Sequence, residues 1–198
     1  MSSDVNRLQQ QLEFIIETDE LKQVLRQTVL IGDGRRENDA EHSWHLALMA
    51  VILVEHSAEP VDVLKVVKMV IIHDLVEIDA GDTFAYDEEG QRGKQERERA
   101  AAKRIFALLP ADLSEELREL WEKFEARETA EARYANALDR LQPLLLNYHS
   151  GGATWRDNGV VEEQVIRRNQ HIEDGAPALW RYAEQMIERA VDEGKLER

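Results

Sequence analysis

The sequence predicts an all-α protein, and three observations carry the prediction. Apolar residues recur at the three- and four-residue spacing of helices through most of the chain, and no stretch shows the period-two alternation of a half-buried strand. The third is the segment 66–72, where Val66, Val67, Met69, Val70, Ile71 and Ile72 make a helix apolar nearly all round, the pattern of a buried helix. At 198 residues one domain over 1–198 is expected, with no repeat or low-complexity linker to divide it.

Taken in order, residues 5–16 form a first helix with Leu8, Leu12, Ile15 and Ile16 at helical spacing. Asp19 is placed to cap a second over 20–28, whose apolar face is Leu21, Val24 and Leu25. Two glycines, an asparagine and four charges then break the pattern over 31–38, which reads as a loop. Asp39 caps the next helix, with His42 at capping-box distance; it buries Leu46, Met49, Ala50, Leu53 and Val54 and ends near His56. Pro60 suits the first turn of the following helix, which runs to about Gly81. The polar segment 82–93 is long enough for a lid or substrate-contacting loop, with a plain surface loop as the alternative.

Residues 94–109 are helical up to Pro110, and Asp112 with Glu115 resembles a capping box for a helix to about Ala126 bearing Leu117, Leu120, Trp121 and Phe124. Thr129 caps another through Tyr134, Leu138, Leu141, Leu145 and Leu146, with Pro143 expected to bend it. After a flexible connection at 149–154, helices resume over 160–170 and 177–191. The C-terminal helices, 160–193, carry Trp180, Tyr182, Met186 and Ile187, which either cover the core or form a homodimer contact.

Asp and Glu number 40 against 25 Lys and Arg, a formal net charge of −15 with pI near 4.8. Such a surface repels nucleic-acid backbones and anionic membranes, so neither is an expected partner. The absence of Cys excludes disulfides, thiolate zinc sites and a Cys nucleophile, and fits a reducing cytoplasm. Without a basic-then-apolar leader or an apolar run of membrane-spanning length, the chain reads as soluble and intracellular.

The chemistry concentrates at the end of the buried helix, where His73, Asp74 and Glu77 stand on neighbouring rows, followed by Asp82. Burying an imidazole and carboxylates is costly unless they are paired or hold a cation. His42 and His45 are three apart near a helix start, beside Glu41 and Trp44, and either could reach a metal. Asp139 interrupts the apolar stripe of Leu138 and Leu141; the plain reading is a surface pair with Arg140, the functional one another cation ligand. His56, His149 and His171 read as ordinary core or surface residues.

This pattern resembles the HD-domain superfamily of metal-dependent phosphohydrolases: a His on an early helix, a His-Asp doublet on the next, and a distant Asp. The motifs Arg36-x-Asn38-x-x-Glu41-His42-Ser43 and His73-Asp74-x-x-Glu77-x-x-x-Gly81-Asp82 are similar to the branch containing 5'-nucleotidases and bacterial 5'-deoxynucleotidases, over a core of about 21–147. The resemblance implies His42, His73, Asp74 and Asp139 as ligands of one divalent ion, from Co, Mn, Mg, Zn, Fe or Ni. It further implies Glu77 as the catalytic carboxylate, Asp82 assisting it or binding the sugar, Arg26 on the substrate phosphate, and a homodimer. As plain residues, Arg26 and Arg36 would only cap helix ends.

Two imidazoles and two carboxylates suit a divalent transition metal. The implied reaction is hydrolysis of (deoxy)nucleoside 5'-monophosphates to nucleoside and phosphate. Relatives in that branch carry a Trp shortly after the Arg, where this chain has Gln27-Thr28-Val29, so ribose and deoxyribose both stay open. The alternatives are an HD-type phosphodiesterase or nucleoside polyphosphate hydrolase and, from another class, a non-catalytic helical scaffold stapled by metal.

Overall fold

Helices carry most of the chain, as the apolar spacing requires. The computed structural model describes residues 3–32, 34–87 and 89–198. Met1, Ser2, Asp33 and Glu88, which belong to the amino terminus and the two loops read above, lie outside the described residues. In order come α1 (Ser3–Glu17), a 3-10 turn (Thr18–Gln23), β1 (Leu25–Val29), β2 (Arg36–Asn38), α2 (Asp39–Ile52) and α3 (Val63–Ile72). After a third 3-10 turn (His73–Val76; the second, Val54–His56, lies between α2 and α3) follow α4 (Glu77–Ala80), α5 (Lys94–Phe106), α6 (Ala111–Ala126) and α7 (Ala130–His149). The chain closes with α8 (Ala153–Asp157), α9 (Glu162–Asn169), α10 (Ile172–Gly175) and α11 (Pro177–Asp192).

One continuous apolar core reaches from Phe14 to Leu196, and α7 runs through it with Tyr134, Leu138 and Leu141 buried. Thr129 Oγ1 accepts from Ala132 N at 3.2 Å and caps α7 as the sequence predicts. On α11, Trp180, Met186 and Ile187 are buried, so this helix covers the core. Gly175 lets α10 lie against α7, since a Cβ there would come 2.2 Å from the Arg133 carbonyl oxygen.

Six local expectations are corrected, each by a tertiary or capping effect. The helix expected over 20–28 is a 3-10 turn followed by β1, paired antiparallel with β2; Leu25 lies opposite Asn38 and Val29 opposite Arg36, with an irregularity between. Cross-strand bonds and the β-branched Thr28 and Val29 outweigh the helical spacing of Leu21, Val24 and Leu25. Strand alternation then turns Arg26 and Thr28 inward, leaving Leu25 and Gln27 exposed. Arg36 caps no helix: its Nη2 donates to Leu25 O at 2.8 Å and ties the strands together.

At α2 the cap is Asn38, not Asp39. Its Oδ1 accepts from Glu41 N at 2.9 Å while Glu41 Oε2 accepts from Asn38 N at 3.2 Å, closing a capping box one residue early and freeing Asp39 for the interior. The following helix begins at Val63 under an Asp62 cap, past Pro60. Its outer side shows Ile71 at 47% exposure, so it is not buried all round. At α6 no side-chain cap forms; Asp112 instead accepts both amino groups of Arg7, at 2.7 and 2.8 Å.

Candidate functional site

The backbone tightens from α3 into a 3-10 turn at His73, recovers as α4 at Glu77, and ends at Gly81, whose φ of 73° suits glycine. His73, Asp74 and Glu77 are thereby placed inside the bundle facing α2 and α7, and all three are buried. From α2 His42 Nε2 comes to 3.0 Å from Asp139 Oδ1 on α7, and His73 Nε2 lies 3.6 Å from the same oxygen. Asp74 stands 3.1 Å from His73 Nε2 through Oδ1 and 3.9 Å from His42 Nε2 through Oδ2. The four residues read as ligands from the sequence are brought together, and Asp139 is buried among them.

The hydrogen bonds orient the imidazoles for a cation. Gln142 Nε2 donates to Glu37 Oε1 at 2.6 Å, so Gln142 Oε1 accepts the Nδ1–H of His42 at 3.0 Å. Likewise the Val70 carbonyl accepts the Nδ1–H of His73 at 2.9 Å. Both Nε2 atoms therefore point at Asp139, and His73 Nε2 has no hydrogen-bond partner among the described residues. Ligating histidines adopt this arrangement, with the far ring nitrogen donating to a carbonyl or carboxylate. At His42 two acceptors face each other at 3.0 Å, which a cation between them relieves. Burial and Arg26 push the His42 pKa down to about 4; at His73 burial acts the same way, but Asp74 and Asp139 outweigh it and raise the pKa to about 10.

A second group, Asp39, Asp74 and Glu77, also has ligand atoms within 4.8 Å of one another. Arg26 crosses it: Nη1 donates to Asp39 Oδ1 at 3.0 Å and Asp74 Oδ2 at 2.9 Å, with Nε 3.6 Å from Glu37 Oε2. Burial and Asp74 raise the Asp39 pKa to about 7, and burial raises Glu37 to about 7. Glu77 is pushed well above the carboxylate range by burial, then by Asp74, Asp39 and Asp82. Burial also raises Asp82, against the pull of Arg26.

Asp74, Glu77 and Asp139 line a cleft with Arg26, Asp82 and Lys94, and Thr28, Phe84, Tyr86, Leu144 and Trp155 complete its wall. The loop after Gly81 thus contributes directly to the cleft, through Asp82 to Tyr86. His45 is turned away, its Nδ1 3.3 Å from Gln142 Nε2. Sequence reasoning missed Glu37, Asp39, Gln142 and Lys94, whose Nζ lies 3.8 Å from Glu77 Oε1. Gln142 carried a usable signal, because it falls three residues after Asp139 in the same buried stripe. Asp39 did too, since only one of Asn38 and Asp39 can cap α2.

An all-α bundle that gathers two imidazoles and carboxylates from separate helices around a His-Asp doublet defines a class of buried metal-binding folds. The family model for the HD domain matches residues 18–180, and the chain belongs to that family. It is 32% identical to human 5'-deoxynucleotidase HDDC2 over 135 residues, 68% of this chain and 65% of the human one. The Dictyostelium discoideum 5'-deoxynucleotidase HDDC2 is 27% identical over 144 residues, 69% of this chain and 75% of its own. The chain thus spans slightly under two thirds of the human relative. The crystal structure of a predicted metal-dependent phosphohydrolase from Magnetospirillum magnetotacticum MS-1 superposes with TM-score 0.95 at 50% identity, covering 100% of this chain and 99% of that one.

Proposed function

We propose that this protein, as one HD domain, is a divalent-metal-dependent 5'-nucleotidase acting on ribo- or deoxyribonucleoside 5'-monophosphates. The observation that carries it is the pair of oriented imidazoles converging on Asp139 beside Asp74 and the buried Glu77. His42, His73, Asp74 and Asp139 would hold one ion, of Co, Mn, Mg, Zn, Fe or Ni. When bound there, a divalent cation supplies an acidified water and neutralises phosphoryl oxygens. Glu77, whose pKa burial and its carboxylate neighbours raise, would protonate the leaving 5'-oxygen, with Asp82 assisting it. Arg26 fixes Asp39 and Asp74, lines the cleft, and would bind the substrate phosphate there. Phe84, Tyr86 and Trp155 give the base an apolar wall.

The test is phosphate release from a panel of nucleoside monophosphates with added Co(II), Mn(II) or Mg(II). Release from at least one substrate is expected, and none with any metal rejects the reading. Cyclic nucleotides and nucleoside polyphosphates in the same panel distinguish a monoesterase from a diesterase or pyrophosphohydrolase.

We assign the protein to the cytoplasm, in keeping with the absence of Cys. Among the described residues no helix is long and apolar enough to cross a membrane. We also propose a homodimer. Trp44, Leu48, Val51 and Ile52 form an exposed stripe on α2, and Leu64 and Ile71 are exposed on its neighbour α3. A second exposed stripe, Leu8, Leu12, Ile15 and Ile16, lies on α1. Such faces favour burial against a second copy. Light scattering of the purified protein should give twice the chain mass, and Val51→Glu should give the single-chain mass with helicity retained. A wild-type monomer at micromolar concentration overturns the assignment.

A further inference from the structure

Although the chain carries a net charge of −15, three arginines gather beside the His-Asp cluster, in a cavity whose carboxylates are Asp74, Glu77, Glu98, Glu125 and Asp139. Arg127 ends α6, Arg140 follows Asp139 on α7, and Arg168 lies near the end of α9. Arg140 and Arg168 line the cleft beside Asp139, and both also line a second, more polar cavity on the His73 side, where Arg127 joins them. His171 lines an adjoining hollow with Arg127 and Arg168. Three helices therefore bring three guanidinium groups to the second cavity, and two of them, Arg140 and Arg168, also reach the first.

Their compensation is thin. Arg140 Nη2 lies 3.6 Å from Asp139 Oδ2, but Asp139 also faces both imidazoles. Arg127 draws on that same Asp139, with Glu125 and Asp174 adding to it. The Nε atoms of Arg140 and Arg168 and Nε2 of His171 are buried without a hydrogen-bond partner among the described residues. Burial and then Arg140 lower the Arg168 pKa to about 10, which still leaves it charged at neutral pH. Burial and the three arginines hold His171 near 4, hence neutral. Arg127 is also the one non-glycine with positive φ among the described residues, at 55°. Converging like charges with unused donors are relieved by an anion, and planar guanidinium forks match phosphate oxygens. Arg26, by contrast, already gives its Nη1 to Asp39 and Asp74.

We propose that Arg127, Arg140 and Arg168 form a phosphate subsite beside the His-Asp cluster that acts together with Arg26: it completes the contacts to the phosphoryl group of the substrate and holds inorganic phosphate after hydrolysis. The assignment to a substrate phosphate rests on the hydrolase reading; the anion site itself does not.

Calorimetric titration of inorganic phosphate into the purified protein tests the site, with Arg127→Ala, Arg168→Ala and Arg168→Lys as variants and Arg156→Ala as a distant control. Wild type and control should bind phosphate alike, each alanine variant about tenfold more weakly, and Arg168→Lys in between. Removing one of three repelling charges should leave the melting temperature unchanged or raised, which separates a ligand role from a structural one. On nucleoside monophosphates the alanine variants should raise KM by a similar factor. Phosphate affinity within twofold of wild type in both alanine variants overturns the subsite, whatever the activity. Phosphate binding lost in the variants alongside an inactive wild type keeps the subsite and rejects only the nucleotidase reading.

Discussion

Glu77→Gln should lower turnover of nucleoside monophosphates by about 10³-fold while metal content stays at the wild-type level. The substitution keeps the volume of the buried side chain and replaces its acidic O–H by an amide that does not give up a proton. Glu77 lies outside the group formed by His42, His73 and Asp139, so the loss should fall on turnover and not on metal. Because the carboxyl already favours its neutral form, the amide should cost little stability, and the melting temperature should move by no more than about 2 °C. Elemental analysis and single-turnover kinetics on the same preparation check both parts. A scaffold that merely binds metal would show no activity in either form, and turnover within tenfold of wild type would remove Glu77 from the chemistry.

Stripping the metal should produce the largest change in stability. An ion present at about 100 times its dissociation constant contributes roughly 2.7 kcal/mol. For a chain of this length that corresponds to a fall in melting temperature of about 5–10 °C on chelation. The stripped protein should also acquire a pH dependence, because an imidazolium then takes the place of the cation. The His73 pKa is about 10 in the folded state against 6.5 ordinarily, so its contribution is complete below pH 6.5 and is lost as pH rises toward 10. Glu37 and Asp39, raised to about 7, act in the same direction up to neutrality, since their buried carboxyls prefer to keep protons. His42, lowered to about 4, opposes this only below 6.5. Melting scans in chelator from pH 6.5 to 9 should therefore fall steadily, and scans with metal should be flatter. A stripped protein whose midpoint rises over that range would contradict the assignment of charges around His73.

The helices that were legible in sequence are those whose evidence is local. Thr129 caps α7, and the apolar run before His73 announces a helix before any partner is known, although Leu64 and Ile71 on its outer side are exposed. Asp139 was legible for a related reason, because a carboxylate inside the stripe of Leu138 and Leu141 has to be compensated. The strand β1 was hidden, since Leu21, Val24 and Leu25 satisfy helical spacing while the deciding hydrogen bonds come from residues 36–38. That error touched the site, because strand alternation is what aims Arg26 at Asp39 and Asp74.

By itself the sequence determined the helical class, the acidic surface and the residue types able to hold a cation, because periodicity, composition and side-chain chemistry are properties of the chain alone. Only the tertiary structure decided that Gln142 and the Val70 carbonyl turn both Nε2 atoms inward, that Asp39 is free of capping duty, and that Arg127, Arg140 and Arg168 line one cavity. The physical reason is that each of these depends on which distant groups arrive within hydrogen-bond or Coulomb range. That is set by how the helices pack, and no local spacing encodes it.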